Sequence, residues 1–232
     1  MIHVVAGAVT DAAGRVLIAQ RPPGKHLAGG WEFPGGKLEL GETRVAGLAR
    51  ELREELGISI GAPRPLIRLR HTYAFGEILI DMWVVTHFGG EPCGLDGQAL
   101  RWCSLDELVT VDLLPADAPI VRALRLPEQL STANSPYYQV FDYSLERPVP
   151  AVEESGGTNV KSRLVGISCS TVAEALTVDR HAAPDFIVMR SELPPDDLRF
   201  LCASVPKPVF VRGMELKAAW ALGASGVSSL PS

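Results

Sequence analysis

One segment, residues 36–58, restricts what this chain can fold into more than any other part of its 232 residues. It reads Gly-Lys-Leu-Glu-Leu-Gly-Glu-Thr-Arg-Val-Ala-Gly-Leu-Ala-Arg-Glu-Leu-Arg-Glu-Glu-Leu-Gly-Ile. Its apolar residues recur every three or four positions, which predicts an amphipathic helix over 43–56, and Gly57 supplies a C-terminal stop. Glu51, Glu54 and Glu55 then share one face of that helix. The helix therefore carries a cluster of like charges beside its apolar stripe.

This carboxylate cluster has two interpretations. Like charges at helical spacing repel each other at a cost of about 0.2–0.5 kcal/mol per pair, which a solvated acidic face tolerates. A divalent cation reverses that penalty, and Mg²⁺ prefers a few carboxylates together with waters and phosphate oxygens. For an isolated pair of glutamates the solvated face would be the better interpretation, but the spacing of the whole segment, next to a glycine-rich loop, favours the second. We therefore expect a metal site that substrate phosphates complete.

The first 127 residues predict an α+β domain in which helices pack a mixed sheet. Residues 2–9 and 16–20 predict two strands joined as a hairpin, and residues 21–36 predict a long functional loop. A capping-box pattern at Ser104–Glu107 predicts a short helix. Further strands are expected near 66–73, 77–88 and 99–103, and a further helix near 116–124.

The rest of the chain changes character. Residues 128–162 are rich in Ser, Asn, Pro and Gly and predict a linker, although 137–143 can form a strand. In residues 163–232, short buried strands alternate with helical stretches, which predicts a small βαβ region with parallel pairing. Its strands are expected near 164–168, 186–189, 209–211 and 226–229, and its helices near 171–178, 196–203 and 215–222.

Composition indicates the class of protein. The formal net charge of -5 argues against a broad electrostatic surface for nucleic acid, so no stable nucleic-acid binding is expected. The four cysteines form no CxxC pair, which favours a reducing compartment over a disulfide framework or a zinc site. With no signal-peptide pattern and no apolar run of about 18 residues, the chain is predicted to avoid membranes and to be cytoplasmic.

The segment at 36–58 also resembles the complete signature of the Nudix hydrolases. In order, it gives Gly, five residues, Glu, seven residues, Arg-Glu, an aliphatic residue, any residue, Glu-Glu, any residue, Gly and an aliphatic residue. The resemblance implies a Nudix fold and hydrolysis of a nucleoside diphosphate linked to another group. It assigns metal binding to Glu51, Glu54 and Glu55. It also implies that Arg50 orients these carboxylates and that Glu42 supports the loop and the helix.

The residues before the signature, Trp31–Gly36, resemble the MutT branch of this family, which removes oxidised guanine nucleotides, and the likeness spans residues 3–125. It implies that Gly35 offers its carbonyl to the metal. It places Arg21 and Lys37 at the phosphates, and Phe33 and Phe75 near the base. Each of these residues, taken singly, also has an ordinary structural interpretation, as a core aromatic, a surface charge or a turn glycine.

Two positions depart from the MutT pattern. The bacterial enzymes carry an asparagine that contacts the oxidised purine, and this chain has Asp117 there, which can recognise a different protonation state or a different base. Asp96 stands in place of a glutamate and is one carbon shorter. Asp96 is a candidate for an extra metal ligand or general base, or an ordinary turn aspartate.

The implied reaction is metal-assisted attack of water on the β-phosphorus, which releases a nucleoside monophosphate and pyrophosphate. The cofactor is expected to be Mg²⁺, with Mn²⁺ as a substitute. The predicted catalytic residues are Glu54, Glu51, Arg50 and Asp96, and the sequence does not rank the carboxylates as general base. The leading substrate is 8-oxo-dGTP, for nucleotide-pool sanitation. The alternatives are another nucleotide, such as a pyrimidine triphosphate or a dinucleotide, and a nucleotide- or thiamine-linked binding protein.

Residues 163–232 are similar to the later βα units of thiamine phosphate synthase-like barrels, a part of a TIM barrel. The early barrel strands are missing, which leaves parallel sheet edges that the linker or a second copy of the chain is expected to cover. A homodimer through this region is one form of that hypothesis. Cys169 is interpreted as a small buried hydrophobe and not as a nucleophile.

Overall fold

The computed structural model describes residues 1–131, 135, 138–143, 163–181, 184–190 and 192–230. The chain divides into two compact units, one built from residues 1–65 and 69–121, the other from residues 66–68 and 122 onward. The strands are β1 (Ile2–Val9), β2 (Val16–Gln20), β3 (Trp31–Glu32), β4 (Gly35–Lys37), β5 (Ser59–Ile60), β6 (Arg64–Tyr73), β7 (Gly76–Val85), β8 (Phe88–Gly89), β9 (Leu100–Cys103), β10 (Gln129–Leu130), β11 (Tyr138–Asp142), β12 (Leu164–Cys169), β13 (Phe186–Met189), β14 (Val209–Val211) and β15 (Gly226–Ser228). The helices are α1 (Arg44–Leu56), α2 (Leu105–Leu108), α3 (Ala118–Leu124), α4 (Val172–His181), α5 (Pro195–Ser204) and α6 (Leu216–Ala221).

The central sheet of the first unit is mixed, in the order β4-β1-β7-β6. Strand β1 pairs with β7 in parallel and with β4 antiparallel. Side chains alternate across a strand, so β1 presents two different faces. Val5 and Val9 pack against Leu48 and Leu52 of α1 in a fully buried core. The opposite face is left to line a cavity, so the sheet lies between helix α1 and that cavity.

The predicted hairpin of β1 and β2 is wrong. Thr10 and Val16 form only an isolated antiparallel bridge, and β2 joins a second sheet in the order β3-β2-β9. The reason is that β4 and β7 already occupy both edges of β1, so β2 must find its partners elsewhere. The segment at 21–36 is also more ordered than the predicted loop, because it contains β3 and the start of β4.

Helix α1 begins and ends as its sequence predicts. The Thr43 side chain accepts a hydrogen bond from the amide of Ala46, which satisfies one of the unpaired donors of the first turn. Gly57 ends the helix with a φ of 71°, a left-handed conformation that glycine adopts without strain. The capping box predicted at Ser104 is also present at the start of α2. Helix α3 begins two residues later than predicted, after a 3₁₀ turn at Pro115–Asp117.

The second unit contains a six-stranded sheet in the order β10-β15-β14-β13-β12-β11, and each of its strand pairs is parallel. The predicted parallel pairing is therefore confirmed. Ile187 and Val209 face a core shared with helices α4, α5 and α6, whereas Phe186 and Phe210 face a second cluster across the sheet. Both outer strands, β10 and β11, come from the segment predicted as a linker, so this segment covers the two edges. Residues 144–162 of that linker lie outside the described residues.

Among the residues that the structure describes, no helix is both long and apolar enough to cross a membrane.

Candidate active site

A cavity of about 600 Å³ in the first unit gathers the residues predicted for the site. Its apolar floor comes from the sheet face opposite α1, with Val4 and Ala6 of β1 and Ile78 and Ile80 of β7. All the predicted site residues except Arg50 line this cavity, namely Arg21, Phe33, Gly35, Lys37, Glu51, Glu54, Glu55, Phe75, Asp96 and Asp117.

Arg50 lies behind the cavity wall and holds three carboxylates. One of its terminal nitrogens donates to Glu51 at 2.9 Å and to Glu54 at 3.1 Å. Its other nitrogens donate to both carboxylate oxygens of Glu42, at 3.0 and 3.1 Å, and to the Lys37 carbonyl at 3.0 Å. A planar guanidinium suits such a fork of contacts, and a lysine cannot reproduce it. This geometry is the one expected of a residue that orients the carboxylates of α1 and ties them to β4.

Two glycines allow β4 to lie close to the neighbouring elements. Gly35 has a φ of 149°, and a side chain there would collide with the backbone of Val5. A methyl group on Gly36 would occupy the space taken by the Glu51 carboxylate. Strand β4 can therefore lie close to β1 because Gly35 lacks a side chain, and close to the acidic face of α1 because Gly36 lacks one. The Glu51 carboxylate oxygens therefore lie directly beside the backbone of β4.

Glu55 is a partly buried glutamate on this face. Burial is the main cause that raises its pKa to about 7; the negative charges of Glu51 and Glu32 act in the same direction, whereas a hydrogen bond from the Gly35 amide and the charge of Lys25 act against it. The Gly35 amide donates to Glu55 Oε2 at 3.1 Å. Like charges at short range disfavour ionisation of each other, and a cation among them restores it.

These oxygens suit a hard divalent cation. Within the described residues, no three His, Cys, Asp or Glu side chains are grouped as a ready-made metal cage. Mg²⁺ seldom uses such a cage, because it retains waters and takes phosphate oxygens beside one or two carboxylates. The oxygen donors of α1 and the space at Gly36 therefore fit an ion that shares its shell with a substrate.

The loop that carries Asp96 is fastened to the end of α1. The side-chain amide of Gln98 donates to the Glu55 carbonyl at 3.0 Å, and the Leu95 amide donates to the same carbonyl at 2.9 Å. The Asp96 amide donates to the Gln98 side chain. Asp96 thereby reaches the cavity wall, where its carboxylate lies 3.9 Å from the ammonium group of Lys25.

Aromatic side chains form another part of the cavity wall. Phe75 stacks on Tyr73 with ring centroids 5.1 Å apart and an interplanar angle of 9°, and the His26 ring meets the edge of Phe75 at 4.8 Å. Phe75 is 54% exposed, whereas Phe33 is only 4% exposed. Phe33 is therefore both a core residue and a cavity residue, and Phe75 presents a ring that a planar ligand can contact.

Arg21, Glu32 and Asp117 form a polar cluster in which Asp117 is buried and the other two are partly exposed. Arg21 is paired with Glu32 and also donates to the His26 carbonyl at 2.7 Å. Asp117 is 6% exposed, and its Oδ2 atom has no hydrogen-bond partner in the described part of the chain. Burial raises the pKa of Asp117 well above the ordinary value of 3.8, the charge of Glu32 raises it further, and Arg21 opposes the shift. Burial likewise raises the pKa of Glu32 against the effect of Arg21.

Among the lining residues that sequence reasoning missed are Lys25, Glu32 and Tyr73. Glu32 stands between two aromatic residues directly before the signature, and a lone acid in such a setting is a usable signal. Lys25 and Tyr73 belong to a loop and a strand end with no fixed spacing to the glutamates, so the sequence offers no comparable signal for them.

A second polar group was also missed, outside the cavity. Asp81 is 4% exposed within the apolar strand β7, where it pairs with His3 of β1 and accepts a hydrogen bond from Arg44 at 3.0 Å. Because Arg44 is the first residue of α1, this contact fixes the start of the helix against the sheet. The isolated carboxylate in an apolar run was the available sequence signal.

Comparison with known proteins identifies the family. The NUDIX domain matches residues 5–123, about half of the chain, and the chain belongs to this family. The predicted Nudix resemblance and α+β fold are thus confirmed for the first unit. As a Nudix hydrolase, the protein is a pyrophosphohydrolase that acts on nucleotides, and enzymes of this family use divalent metal cations.

Several curated relatives are similar to this chain. The CTP pyrophosphohydrolase of Escherichia coli (strain K12) is 41% identical over 123 residues, which cover 53% of this chain and 90% of that protein. The 8-oxo-dGTP diphosphatase of the same organism is 33% identical over 53% of this chain and 96% of that protein. The putative 8-oxo-dGTP diphosphatase 2 of Mycobacterium tuberculosis (strain ATCC 25618 / H37Rv) is 44% identical over 49% and 81%. Among solved structures, the solution structure of the E. coli ORF135 protein is 40% identical, with a TM-score of 0.49 over 53% of this chain and 87% of that chain.

Proposed function

We propose that this protein is a Mg²⁺-dependent nucleoside triphosphate pyrophosphohydrolase that releases a nucleoside monophosphate and pyrophosphate, with 8-oxo-dGTP as its leading substrate. The observation that carries the proposal is the shared cavity. The Arg50-bound carboxylates of α1 line it together with Phe75 and Asp117, so one ligand can meet acidic oxygens and base-sized apolar surface at once. A role in nucleotide-pool sanitation follows if the substrate is 8-oxo-dGTP.

The acidic wall of the cavity is formed by Glu51, Glu54 and Glu55 of α1, and each of these residues has a role in this proposal. Glu51, Glu54 and Glu55, with the Gly35 carbonyl, hold the cation, and Mn²⁺ is expected to substitute for Mg²⁺. A cation held there would supply positive charge against the phosphates and would help to align the attacking water. Arg50 keeps the carboxylates of Glu51 and Glu54 in place through its hydrogen bonds. The proton of the water passes to one of the α1 carboxylates or to Asp96.

The basic side chains bind the triphosphate in this proposal. Lys37 is exposed on β4 and lines the cavity beside the glutamates, which suits a phosphate contact. Arg21 is the second predicted phosphate contact, but it is already paired with Glu32. Lys25 is a further candidate, because its ammonium group lines the same cavity and lies only 3.9 Å from Asp96.

A second candidate substrate is a pyrimidine triphosphate. Its support is the 41% identity to the CTP pyrophosphohydrolase of E. coli, together with an aspartate where the MutT pattern has asparagine. This alternative changes the base and leaves the phosphate chemistry unchanged, because the groups that face the base lie outside the signature.

The experiment that tests the proposal measures pyrophosphate release with Mg²⁺ from 8-oxo-dGTP, dGTP, dCTP, CTP and a dinucleotide. Glu54→Gln is expected to lower kcat by on the order of 100-fold or more, as loss of a group that supports transition-state charge does in other enzymes. Glu39→Gln is the matched control, because Glu39 is an exposed glutamate near α1 that does not line the cavity.

The result decides between the candidates. A preference for 8-oxo-dGTP that Glu54→Gln abolishes supports sanitation, and a preference for CTP or dCTP supports the second candidate. Absence of turnover with every nucleotide contradicts both and favours the nucleotide- or thiamine-linked binding protein. A cytoplasmic location and a homodimer through the second unit remain predictions, and a gel-filtration mass equal to that of the monomer would count against the dimer.

A further inference from the structure

Asp117 combines two properties that seldom occur together. Its carboxyl group is buried, at 6% exposure, and it lines the cavity proposed to hold the substrate. Its Oδ2 atom has no hydrogen-bond partner among the described residues. A buried polar atom without a partner is costly, and in native proteins an ordered water, an ion, a ligand or a functional role usually accounts for it. Its position therefore indicates a group that a ligand completes.

The charges around Asp117 disfavour its ionised form, because Glu32 already places one negative charge nearby. The titratable and charged groups that act on it are Glu32 of β3, Arg21 just after β2, and Tyr73 at the end of β6. Arg21 is the cation of this cluster, and it is already paired with Glu32. Two carboxyl groups thus share one guanidinium, and the one without a direct ion pair is Asp117.

A carboxyl group in such a place retains its proton more strongly than an exposed one. The pKa of Asp117 is raised by burial first and by the charge of Glu32 second, which agrees with the geometry. A neutral carboxylic acid has one donor and one acceptor, whereas a carboxylate only accepts. The two forms therefore recognise different edges of a nucleobase.

We propose that Asp117 works as the neutral acid, so that the cavity recognises a nucleobase edge on which an acceptor atom stands beside an N–H donor. This inference rests on the proposed function. Both candidate substrates carry that edge, 8-oxo-dGTP through O6 and N1–H and a cytosine nucleotide through N3 and its amino group, and adenine and uracil carry an edge of the same kind. An ionised Asp117 would instead need two neighbouring donors, as guanine offers with N1–H and its 2-amino group. An asparagine has the same donor and acceptor pair as the neutral acid.

The test compares Asp117→Asn with Asp117→Leu, using 8-oxo-dGTP and dCTP from pH 6 to 9. The two nucleotides distinguish the oxopurine edge from the cytosine edge. With the preferred nucleotide, Leu is expected to lower kcat/KM by roughly 10- to 100-fold, the usual cost of losing a paired set of base contacts, and Asn is expected to recover most of that loss. The decrease in kcat/KM that ionisation of Asp117 causes at alkaline pH is expected to be absent in Asp117→Asn.

Glu32→Gln provides a second variant. Because it removes a negative charge and frees Arg21, it is expected to lower the pKa of Asp117 and to move the alkaline decrease to lower pH. A readout without substrate is the ¹³C signal of the Asp117 carboxyl carbon, assigned by its loss in Asp117→Asn. The signal is expected to retain the chemical shift of a neutral acid at neutral pH.

The inference is overturned if Asp117→Asn loses as much activity as Asp117→Leu, or if the carboxyl carbon titrates near the ordinary value of 3.8. A wild-type protein that turns over no triphosphate would contradict the proposed function instead. The carboxyl titration needs no substrate, so in that case it still decides the protonation state of Asp117. Thermal melting of each variant identifies a loss of activity that comes only from unfolding.

Discussion

Single acidic residues in the cavity differ in what their surroundings do to them. Glu51 and Glu54 are held by Arg50, whereas Glu55 and Asp117 lie in places where burial and neighbouring anions raise the pKa. A cation bound at α1 would lower the pKa of Glu55, because it would neutralise the neighbouring charges. Asp117 belongs to the other cluster, with Glu32 and Arg21, where a proton or a hydrogen bond from a bound base would satisfy it.

This difference makes the stability of Asp117→Asn depend on pH. The folded protein binds the Asp117 proton more tightly than the unfolded chain, in which the carboxyl titrates near 3.8. As pH rises above that value, the unfolded chain releases its proton first, so the buried acid lowers the free energy of unfolding until Asp117 itself ionises. The asparagine variant escapes this loss. Its melting temperature is expected to exceed that of the wild type increasingly from about pH 4 toward neutrality. A difference that is independent of pH would contradict the assignment.

Gly36 offers a separate test at the scale of one methyl group. Gly36→Ala places a methyl group in the space of the Glu51 carboxylate, which must shift from the position in which it accepts from Arg50. We expect kcat to fall by at least about 10-fold, because a displacement of about 1 Å at a reacting centre is enough for such a loss. The melting temperature should change little, since the end of a side chain can move.

The matched control for Gly36 is Gly89→Ala on strand β8. The new methyl group there would contact only the hydroxyl of Ser59, at 3.1 Å. Equal activities of the two alanine variants would show that the space beside Gly36 for the Glu51 carboxylate is not required for turnover.

The predictability of the site follows from spacing. The three glutamates of α1 could be found because a helix brings positions three and four apart onto one face. Lys25, Glu32 and Tyr73 reach the same cavity from a loop and two strands, and only the sheet topology brings them together. The unpaired state of Asp117 could not be predicted, because it depends on which neighbour takes the charge of Arg21.

At the scale of elements, helix α1 carries the acidic wall, so its ends matter for the reaction. Thr43→Ala removes the side-chain acceptor for the Ala46 amide and is expected to lower the free energy of unfolding by about 1 kcal/mol. For a chain of this size, that corresponds to a decrease in melting temperature of about 2–4 °C. Fraying of the first turn also loosens Arg44 from Asp81, so the apparent affinity for Mg²⁺ should decrease.

Thr171→Ala is the control for this element, because the Thr171 hydroxyl accepts from the Glu174 amide at the start of α4 in the second unit. A similar loss of stability with unchanged Mg²⁺ dependence is expected there. If both variants change the Mg²⁺ dependence alike, the effect does not come from α1.

The elements also show where local pattern fails. Strands β1, β2, β6 and β7 were found from alternating or continuous apolar runs, since burial of a strand face is a local property. Pairing is a property of the whole sheet, so the turn between β1 and β2 suggested a hairpin that the sheet does not contain. Strands of two residues, such as β5 and β10, are too short to show any periodicity.

At the scale of the whole molecule, the family match ends at residue 123, and several relatives consist of little more than this region. We therefore expect residues 1–127, produced alone, to hydrolyse the preferred nucleotide with a kcat similar to that of the whole chain. The same fragment with Glu54→Gln serves as the inactive control. A folded fragment without turnover would show that the second unit contributes to the reaction.

The two outer strands of the second sheet determine where the chain can be divided into fragments for expression. A fragment that begins at residue 163, the boundary the sequence suggests, lacks β10 and β11 and leaves β15 and β12 with bare hydrogen-bonding edges. Such a fragment would be expected to assemble edge to edge and to precipitate during expression. A fragment that begins before β10 retains both covering strands. The useful boundary for expressing the second unit therefore lies before residue 129, at the start of the predicted linker, and not at its end.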